Sequence, residues 1–71
     1  MENPRLLAAV ARRGRWLMDH SQYSIGPNRT NTALCLYDRT DETRPLDQEP
    51  VNLEDSDDHA RAINALLDRH P

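Results

Sequence analysis

Only one run of the chain has the pattern of a strand that is apolar on both faces, namely residues 32–37 with the sequence TALCLY. Six residues are too few for a buried helix and match the usual length of a strand. Because successive side chains of a strand alternate between its faces, Leu34 and Leu36 point to one side. The opposite side receives Ala33, Cys35 and Tyr37. Such a strand requires cover on both faces.

The first segment with helical periodicity follows Asn3 and Pro4. Asn is a preferred N-cap, and Pro is tolerated at the first helical position because its missing N–H would be unpaired there anyway. Apolar residues then recur at the spacing of one helix face: Leu6, Leu7, Val10 and Ala11. Residues 12–14 are two Arg and a Gly, which is typical of a helix end. The pattern predicts a helix over residues 4–13.

A second amphipathic segment lies near the C-terminus. Asp55 or Ser56 is a suitable N-cap, and residues 57–58 place carboxylates in the first turn, where the helix dipole favours negative charge. The apolar stripe of this segment consists of Ala60, Ile63, Leu66 and Leu67. Arg69 and His70 occupy the last turn, as basic residues commonly do. This segment predicts the C-terminal helix.

Residues 15–20 (RWLMDH) fit two structures. As a strand they would place Trp16 and Met18 on one face. They could also continue the first helix through Gly14, since a glycine within a helix costs only about 0.5–1 kcal/mol relative to alanine. We favour the strand, paired with residues 32–37.

The remaining segments have the composition of connections and edges. Residues 21–31 predict a polar connection, and residues 39–45 a charged turn. Residues 46–53 contain Pro50, which confines them to an edge strand or an extended loop. Together the elements predict one α+β domain over residues 1–71, with an N-terminal helix, two or three short antiparallel strands and a C-terminal helix packed on the sheet.

Burial is scarce in a chain of 71 residues that contains no Phe. A domain of this size buries only about 60% of the surface of its unfolded chain. We expect the C-terminal helix to cover one face of the sheet. The other face would be covered by the first helix or by a second copy of the chain, so a homodimer is one expectation.

Charge is unevenly distributed. Residues 1–29 carry five Arg and two carboxylates, a net charge of +3, whereas residues 30–71 carry four Arg and ten carboxylates, a net charge of −6. The cluster at residues 54–58 is explained by helix capping and the helix dipole. The turn and edge carboxylates have no such local role, and we predict that they contact a partner protein with a basic surface: Asp38, Asp41, Glu42, Asp47 and Glu49. Trp16 is either the aromatic anchor of that contact or part of the core.

Three arginines near the N-terminus offer a different hypothesis. Arg12, Arg13 and Arg15 could contact the phosphates of a nucleic acid. The chain as a whole is acidic, however, and lacks recognition-helix patterning. Arg12 and Arg13 are also explained by the negative end of the first helix. We therefore expect no nucleic-acid partner, and keep a small nucleic-acid-binding regulator as the alternative.

The residues that carry chemistry do not form a recognisable site. The candidates for metal binding are His20, Cys35, His59 and His70, with Asp57 and Asp58, and no pair of them has zinc-site spacing. The two Gly are isolated, so there is no phosphate-binding loop, and the apolar surroundings of Cys35 indicate packing. We expect no enzyme activity, no metal and no cofactor.

Compartment and setting follow only from coarse features. The segment Met1-Glu2-Asn3-Pro4 lacks the order of a signal peptide, and no apolar run approaches the length of a membrane span, so we expect a cytoplasmic protein without a membrane partner. All nine basic residues are Arg, which suggests a GC-rich bacterial, phage or mobile-element genome. The function that we expect is a small protein–protein interaction module, an accessory protein that inhibits a host defence protein such as a CRISPR effector. A structural subunit of a phage or bacterial complex is a further alternative.

Overall fold

A computed structural model describes residues 3–71. Met1 and Glu2, part of the N-terminal segment considered above, lie outside the described residues. The elements follow one another as helix, three strands and helix: α1 (Pro4–Asp19), β1 (Tyr23–Pro27), β2 (Ala33–Asp38), β3 (Asp47–Pro50) and α2 (Ser56–Asp68). The α+β fold class and the order of its elements are confirmed.

The three strands form one antiparallel sheet in the order β1-β2-β3. The predicted strand over residues 32–37 is the central strand β2. The register between β1 and β2 runs from Tyr23 opposite Asp38 to Pro27 opposite Leu34. β3, which contains Pro50, is an edge strand as the sequence predicts, and its register with β2 runs from Pro50 opposite Ala33 to Asp47 opposite Leu36.

The prediction for residues 15–20 is wrong. α1 does not end near Gly14 but continues to Asp19, and the backbone N–H of His20 caps the helix by donating to the carbonyl of Leu17. The continuation places Trp16 two turns beyond the buried Ala9, where it packs against the same core. The strand that pairs with β2 is instead β1, within the segment predicted as a polar connection.

Both helices pack on the same face of the sheet. α2 contributes most of the fully buried side chains of that core, and the sheet contributes Leu34 and Leu36. α1 adds Ala9 and, from its partly buried positions, Leu6 and Trp16. The expectation that the first helix would cover the second face of the sheet is therefore wrong, because α1 lies beside α2 rather than across the sheet from it.

The helix caps follow the sequence closely. The Asn3 side chain accepts hydrogen bonds from the N–H groups of Arg5 and Leu6 and so caps α1. Asp55, rather than Ser56, caps α2 by accepting from the N–H groups of Asp57 and Asp58. Within residues 3–71, no helix is long and apolar enough to cross a membrane.

Candidate protein-binding surface

The face of the sheet that points away from the helices is covered by no other element among residues 3–71. We call it the open face. The strands give it mostly small side chains: Ser24, Gly26, Ala33, Cys35, Tyr37, Gln48 and Pro50. Ala33 and Cys35 are buried even so, and Tyr37 is half-buried. The open face is thus shallow, with one large aromatic residue at its acidic end.

The connection from β2 to β3 begins with two consecutive turns of the same kind. The carboxylate of Asp38 accepts hydrogen bonds from the N–H and the hydroxyl of Thr40, at 2.9 and 2.7 Å. The carboxylate of Asp41 accepts from the N–H of Thr43 at 3.1 Å and from the Thr43 hydroxyl. These side-chain turns fix the loop without using either carboxylate to neutralise a basic side chain. We call residues 38–43 the acidic loop.

The same hydrogen bonds keep both aspartates ionised. The pKa of Asp38 is lowered by the backbone N–H and then the hydroxyl of Thr40. The pKa of Asp41 is lowered by the hydroxyl and then the N–H of Thr43. Within residues 3–71, neither carboxylate forms an ion pair, and the acidic loop, which also contains Arg39 and Glu42, has a net charge of −2.

Glu42 joins the acidic loop to the open face. The hydroxyl of Ser24 on β1 donates a hydrogen bond to its carboxylate at 3.1 Å. Together with Tyr37 and the β1–β2 turn, this part of the loop lines a depression of about 390 Å³, bounded by Asn28, Arg29, Thr30, Tyr37, Glu42 and Thr43. The pKa of the Tyr37 hydroxyl is raised, first by its interaction with Cys35, then by burial and by charge on Cys35 and Glu42. The phenol therefore stays a neutral hydrogen-bond donor.

The opposite wall of this depression is held by Asn28. Its side-chain carbonyl accepts from the N–H groups of Thr32 and Ala33, at 2.9 and 3.2 Å, and its amide donates to the Thr32 hydroxyl. Asn31 takes the left-handed backbone conformation, with φ of 57°, which Asn tolerates better than most residues. The turn is thus a preformed part of the surface.

Asp47 and Glu49, predicted to belong to the same patch, lie in a different environment. Arg69 donates to Asp47 at 3.0 Å and to Glu49 at 2.8 Å, and Arg61 donates to Glu49 at 2.7 Å. His70 also contacts Asp47 at 2.7 Å. The hydrogen bond from Arg69 is the largest cause that lowers the pKa of Asp47 to about 2. These two carboxylates are therefore compensated within the molecule.

Arg61 of α2 and Arg69, the C-cap residue of that helix, also protect the edge of the sheet. Arg69 donates to the backbone carbonyl of Gln48 at 3.1 Å, and Arg61 donates to that of Pro50 at 2.7 Å. Exposed edge carbonyls invite pairing with another strand, and here they are already occupied. The sequence contains a signal for this arrangement, because Arg61 and Arg69 lie eight residues apart and so project from similar sides of α2.

Trp16 is held in the helix layer rather than on the open face. Its indole N–H donates to the carbonyl of His70 at 2.6 Å, which ties α1 to the C-terminal end of the chain. Its ring stacks on that of His20 with centroids 4.0 Å apart, and lies 5.7 Å from the ring of Tyr23. The structure does not bring Trp16 together with the acidic loop.

The three arginines of the nucleic-acid hypothesis have three different environments. Arg12 donates to Asn64 at 2.9 Å and to Asp68 at 2.7 Å, and so links α1 to α2. Arg13 is half-buried, whereas Arg15 is exposed. Of the three, only Arg15 is fully exposed, and it forms no ion pair within residues 3–71.

Comparisons of the chain with protein families, with curated proteins and with solved structures find no match. Among residues 3–71, no three side chains of the His, Cys, Asp or Glu type are grouped so that they could hold a metal ion.

Proposed function

We propose that the protein is a non-enzymatic binding module whose open face and acidic loop occupy a basic surface of another protein. The observation that carries this proposal is a contrast between two groups of carboxylates. Asp47 and Glu49 are each paired with arginine, whereas Asp38, Asp41 and Glu42 have no cationic partner within residues 3–71 and border a sheet face without cover. Charge left uncompensated beside an uncovered face is what an electrostatically complementary interface requires.

Two kinds of contact would act together in this interface. Asp41 and Glu42 would pair with Arg or Lys of the target, which speeds association and selects against acidic surfaces. Tyr37 would act as the aromatic anchor, since it lies between the open face and the acidic loop and aromatic residues dominate interface energetics. Trp16 is already engaged by His20 and His70, so Tyr37 replaces it in this role.

The biological setting that we propose is the cytoplasm of a bacterium, with the protein acting as a phage or mobile-element accessory protein that inhibits a host defence protein such as a CRISPR effector. The small size, the Arg-only basic residues and the net charge of −3 support this setting. An acidic face suits such a target because nucleic-acid-binding proteins carry basic grooves. Inhibition would then consist in blocking the groove.

The test is capture of the target from host lysate by the tagged protein, with nuclease added to remove bridging nucleic acid. Reversal of two charges in the variant Asp41→Lys/Glu42→Lys should weaken capture of the same protein by about tenfold or more, because like charges would then face each other. The matched control is Asp19→Lys/Glu54→Lys, which changes the net charge equally at two exposed sites away from the acidic loop.

Three outcomes would count against the proposal. Equal loss of capture in both double variants would mean that only the net charge matters. Unchanged capture by Asp41→Lys/Glu42→Lys would remove the acidic loop from the interface. Capture that disappears on nuclease treatment would favour the alternative of a nucleic-acid-binding regulator, with Arg15 as the exposed contact.

A further inference from the structure

The two edges of the sheet differ in how their outward backbone groups are occupied. In an antiparallel pair, every second residue of an edge strand turns its N–H and C=O away from the neighbouring strand. On β3 these residues are Gln48 and Pro50, since the odd-numbered positions pair with β2. Arg69 and Arg61 donate to their two carbonyls, the N–H of Gln48 donates to the Asp47 carboxylate, and proline has no N–H. The outer edge of β3 is thus closed.

The outer edge of β1 lacks such cover. The N–H of Arg39 donates to the carbonyl of Gln22 at 2.8 Å, so in this register the even-numbered positions pair with β2 and the odd-numbered ones turn outward. Besides the N–H of Tyr23, the outward groups are the carbonyls of Tyr23, Ile25 and Pro27 and the N–H of Ile25. Within residues 3–71, these three carbonyls and the Ile25 N–H have no hydrogen-bond partner. The edge therefore offers three acceptors and one donor.

This set of groups suits an added strand of another sequence better than a second copy of β1. An antiparallel strand beside β1 would donate an N–H to each of the three carbonyls and accept from Ile25, which makes four hydrogen bonds. A second copy, related by a two-fold axis at Ile25, would form only two. Pro27 has no N–H to offer, and the N–H of Tyr23 already donates to the carbonyl of His20 at 3.0 Å.

The side chains of an added strand would meet two different environments. Tyr23 and Ile25 face the helix layer and pack against the core, whereas Ser24 and Gly26 lie on the open face. A side chain opposite Ile25 would therefore extend the apolar layer. One opposite Ser24 would lie beside Glu42, whose carboxylate accepts from the Ser24 hydroxyl at 3.1 Å and forms no ion pair within residues 3–71. That position suits Arg or Lys.

We propose that the outer edge of β1 binds an extended segment of the target protein as a fourth, antiparallel strand. The segment turns apolar side chains to the helix layer and one basic side chain, opposite Ser24, to Glu42. Arg29 is exposed beyond the other end of β1 and disfavours a second basic residue opposite Gly26. This inference rests on the proposed function, because it specifies the form in which the basic partner binds.

Hydrogen exchange of the free chain tests whether the edge is open. The amides of Ser24 and Gly26 point to β2, whereas that of Ile25 points outward. After correction for intrinsic rates, the Ile25 amide should exchange at least about tenfold faster than the other two. Equal protection of all three amides would overturn the proposal, because the edge would then already be occupied.

A synthetic peptide tests strand addition itself. The probe is Val-Ser-Val-Arg-Val with blocked ends, added to millimolar concentration to the isotope-labelled chain. The amide of Ile25 should shift and become protected from exchange. N-methylation of the central valine should abolish binding, because its N–H would donate to the carbonyl of Ile25. N-methylation of the serine is the matched control and should leave binding unchanged, since that N–H points away from β1.

A charge swap tests the contact with Glu42. Replacement of the peptide arginine by glutamate should weaken binding to the wild-type chain by about tenfold or more. Glu42→Lys should reverse this preference, so that the glutamate peptide binds the more tightly. Glu54→Lys is the matched control, because it changes the net charge equally at an exposed position before α2, and it should keep the preference for arginine.

The outcomes separate this inference from the proposed function. No response of Ile25 at millimolar peptide, or equal binding of the two N-methylated peptides, would overturn strand addition. If Asp41→Lys/Glu42→Lys still weakened capture of the target, the acidic loop would remain its binding surface. Conversely, strand addition of the peptide together with unchanged capture by that double variant would support the edge as a peptide site and count against the proposed interface.

Discussion

At the scale of single residues, the same residue type has opposite roles in neighbouring parts of the chain. Asp38 and Asp41 are each followed two residues later by Thr, and this short repeat is enough to form a side-chain turn. Asp47 instead meets two basic side chains that come from more than twenty residues away. The sequence contains the local signal for the first pair. The contacts of Asp47 require the fold, so the sequence alone does not distinguish Asp47 from the turn carboxylates.

Asp47 makes stability depend on pH in a defined direction. Its pKa is about 2 in the folded protein against an ordinary value of 3.8, so the folded state binds its proton less readily than the unfolded state. The stabilising effect is fully present above about pH 4 and is lost as the pH falls towards 2. We expect Asp47→Asn to lower the free energy of unfolding by about 1–2 kcal/mol at neutral pH.

Urea denaturation of wild type and Asp47→Asn at a series of pH values measures this effect. The difference between the two proteins should shrink between about pH 4 and pH 2. Asp68→Asn is a useful comparison, because Asp68 also pairs with an arginine but is far more exposed. A difference that persists undiminished at pH 2 would show that Asp47 acts through packing and not through its charge.

At the scale of elements, the helices and the central strand predicted from the sequence are confirmed, whereas the predicted end of α1 near Gly14 is wrong. The caps at Asn3 and Asp55 and the apolar run of β2 are local signals, and local signals are read directly from the chain. Gly14 within α1 is not a boundary, because the burial of Trp16 outweighs the small cost of a glycine inside a helix. Helix extent was thus decided by tertiary packing, which periodicity alone does not reveal.

Gly14→Ala should stabilise the protein. The added methyl group meets no atom within 4 Å, and the backbone at this position is already helical. Alanine is favoured over glycine in a helix by roughly 0.5–1 kcal/mol. Thermal unfolding should show a higher Tm for Gly14→Ala than for the wild type.

The matched comparison is Gly26→Ala, at the other open glycine, which lies in β1. Position 26 lies in a strand, where alanine has little intrinsic advantage, so the change in Tm should be smaller. A lower Tm for Gly14→Ala would mean that the helix needs the flexibility of glycine at that point.

At the scale of the whole molecule, the layers explain which residues are free to bind. Two helices on one face of a three-stranded sheet make a core of two layers, and the opposite face is left with the short side chains of β1 and β2. The sequence revealed that β2 is apolar on both faces, but not that both helices would lie together. That outcome depends on contacts far apart in the chain, such as Arg12 with Asp68 and Trp16 with His70.

Charge follows the same division. α1 carries most of the N-terminal arginines, and Arg12 pairs with Asp68 of α2. Asp38 and Asp41 of the acidic loop form no ion pair within residues 3–71. Arg61 of α2 and Arg69 at its C-cap both pair with Glu49 of β3. Three carboxylates without an ion pair within residues 3–71, namely Asp38, Asp41 and Glu42, thus lie beside the open face, and their contact with a partner is the central claim of the proposed function.

The most direct test of that claim is to map the contact on the protein by NMR. Amide shifts of the isotope-labelled chain would be followed while the captured target is added. We expect the largest shifts and losses of signal in residues 24–26, 28–30 and 35–43, with α2 little affected. Changes confined to α1 and α2, with the open face and the acidic loop unperturbed, would contradict the account.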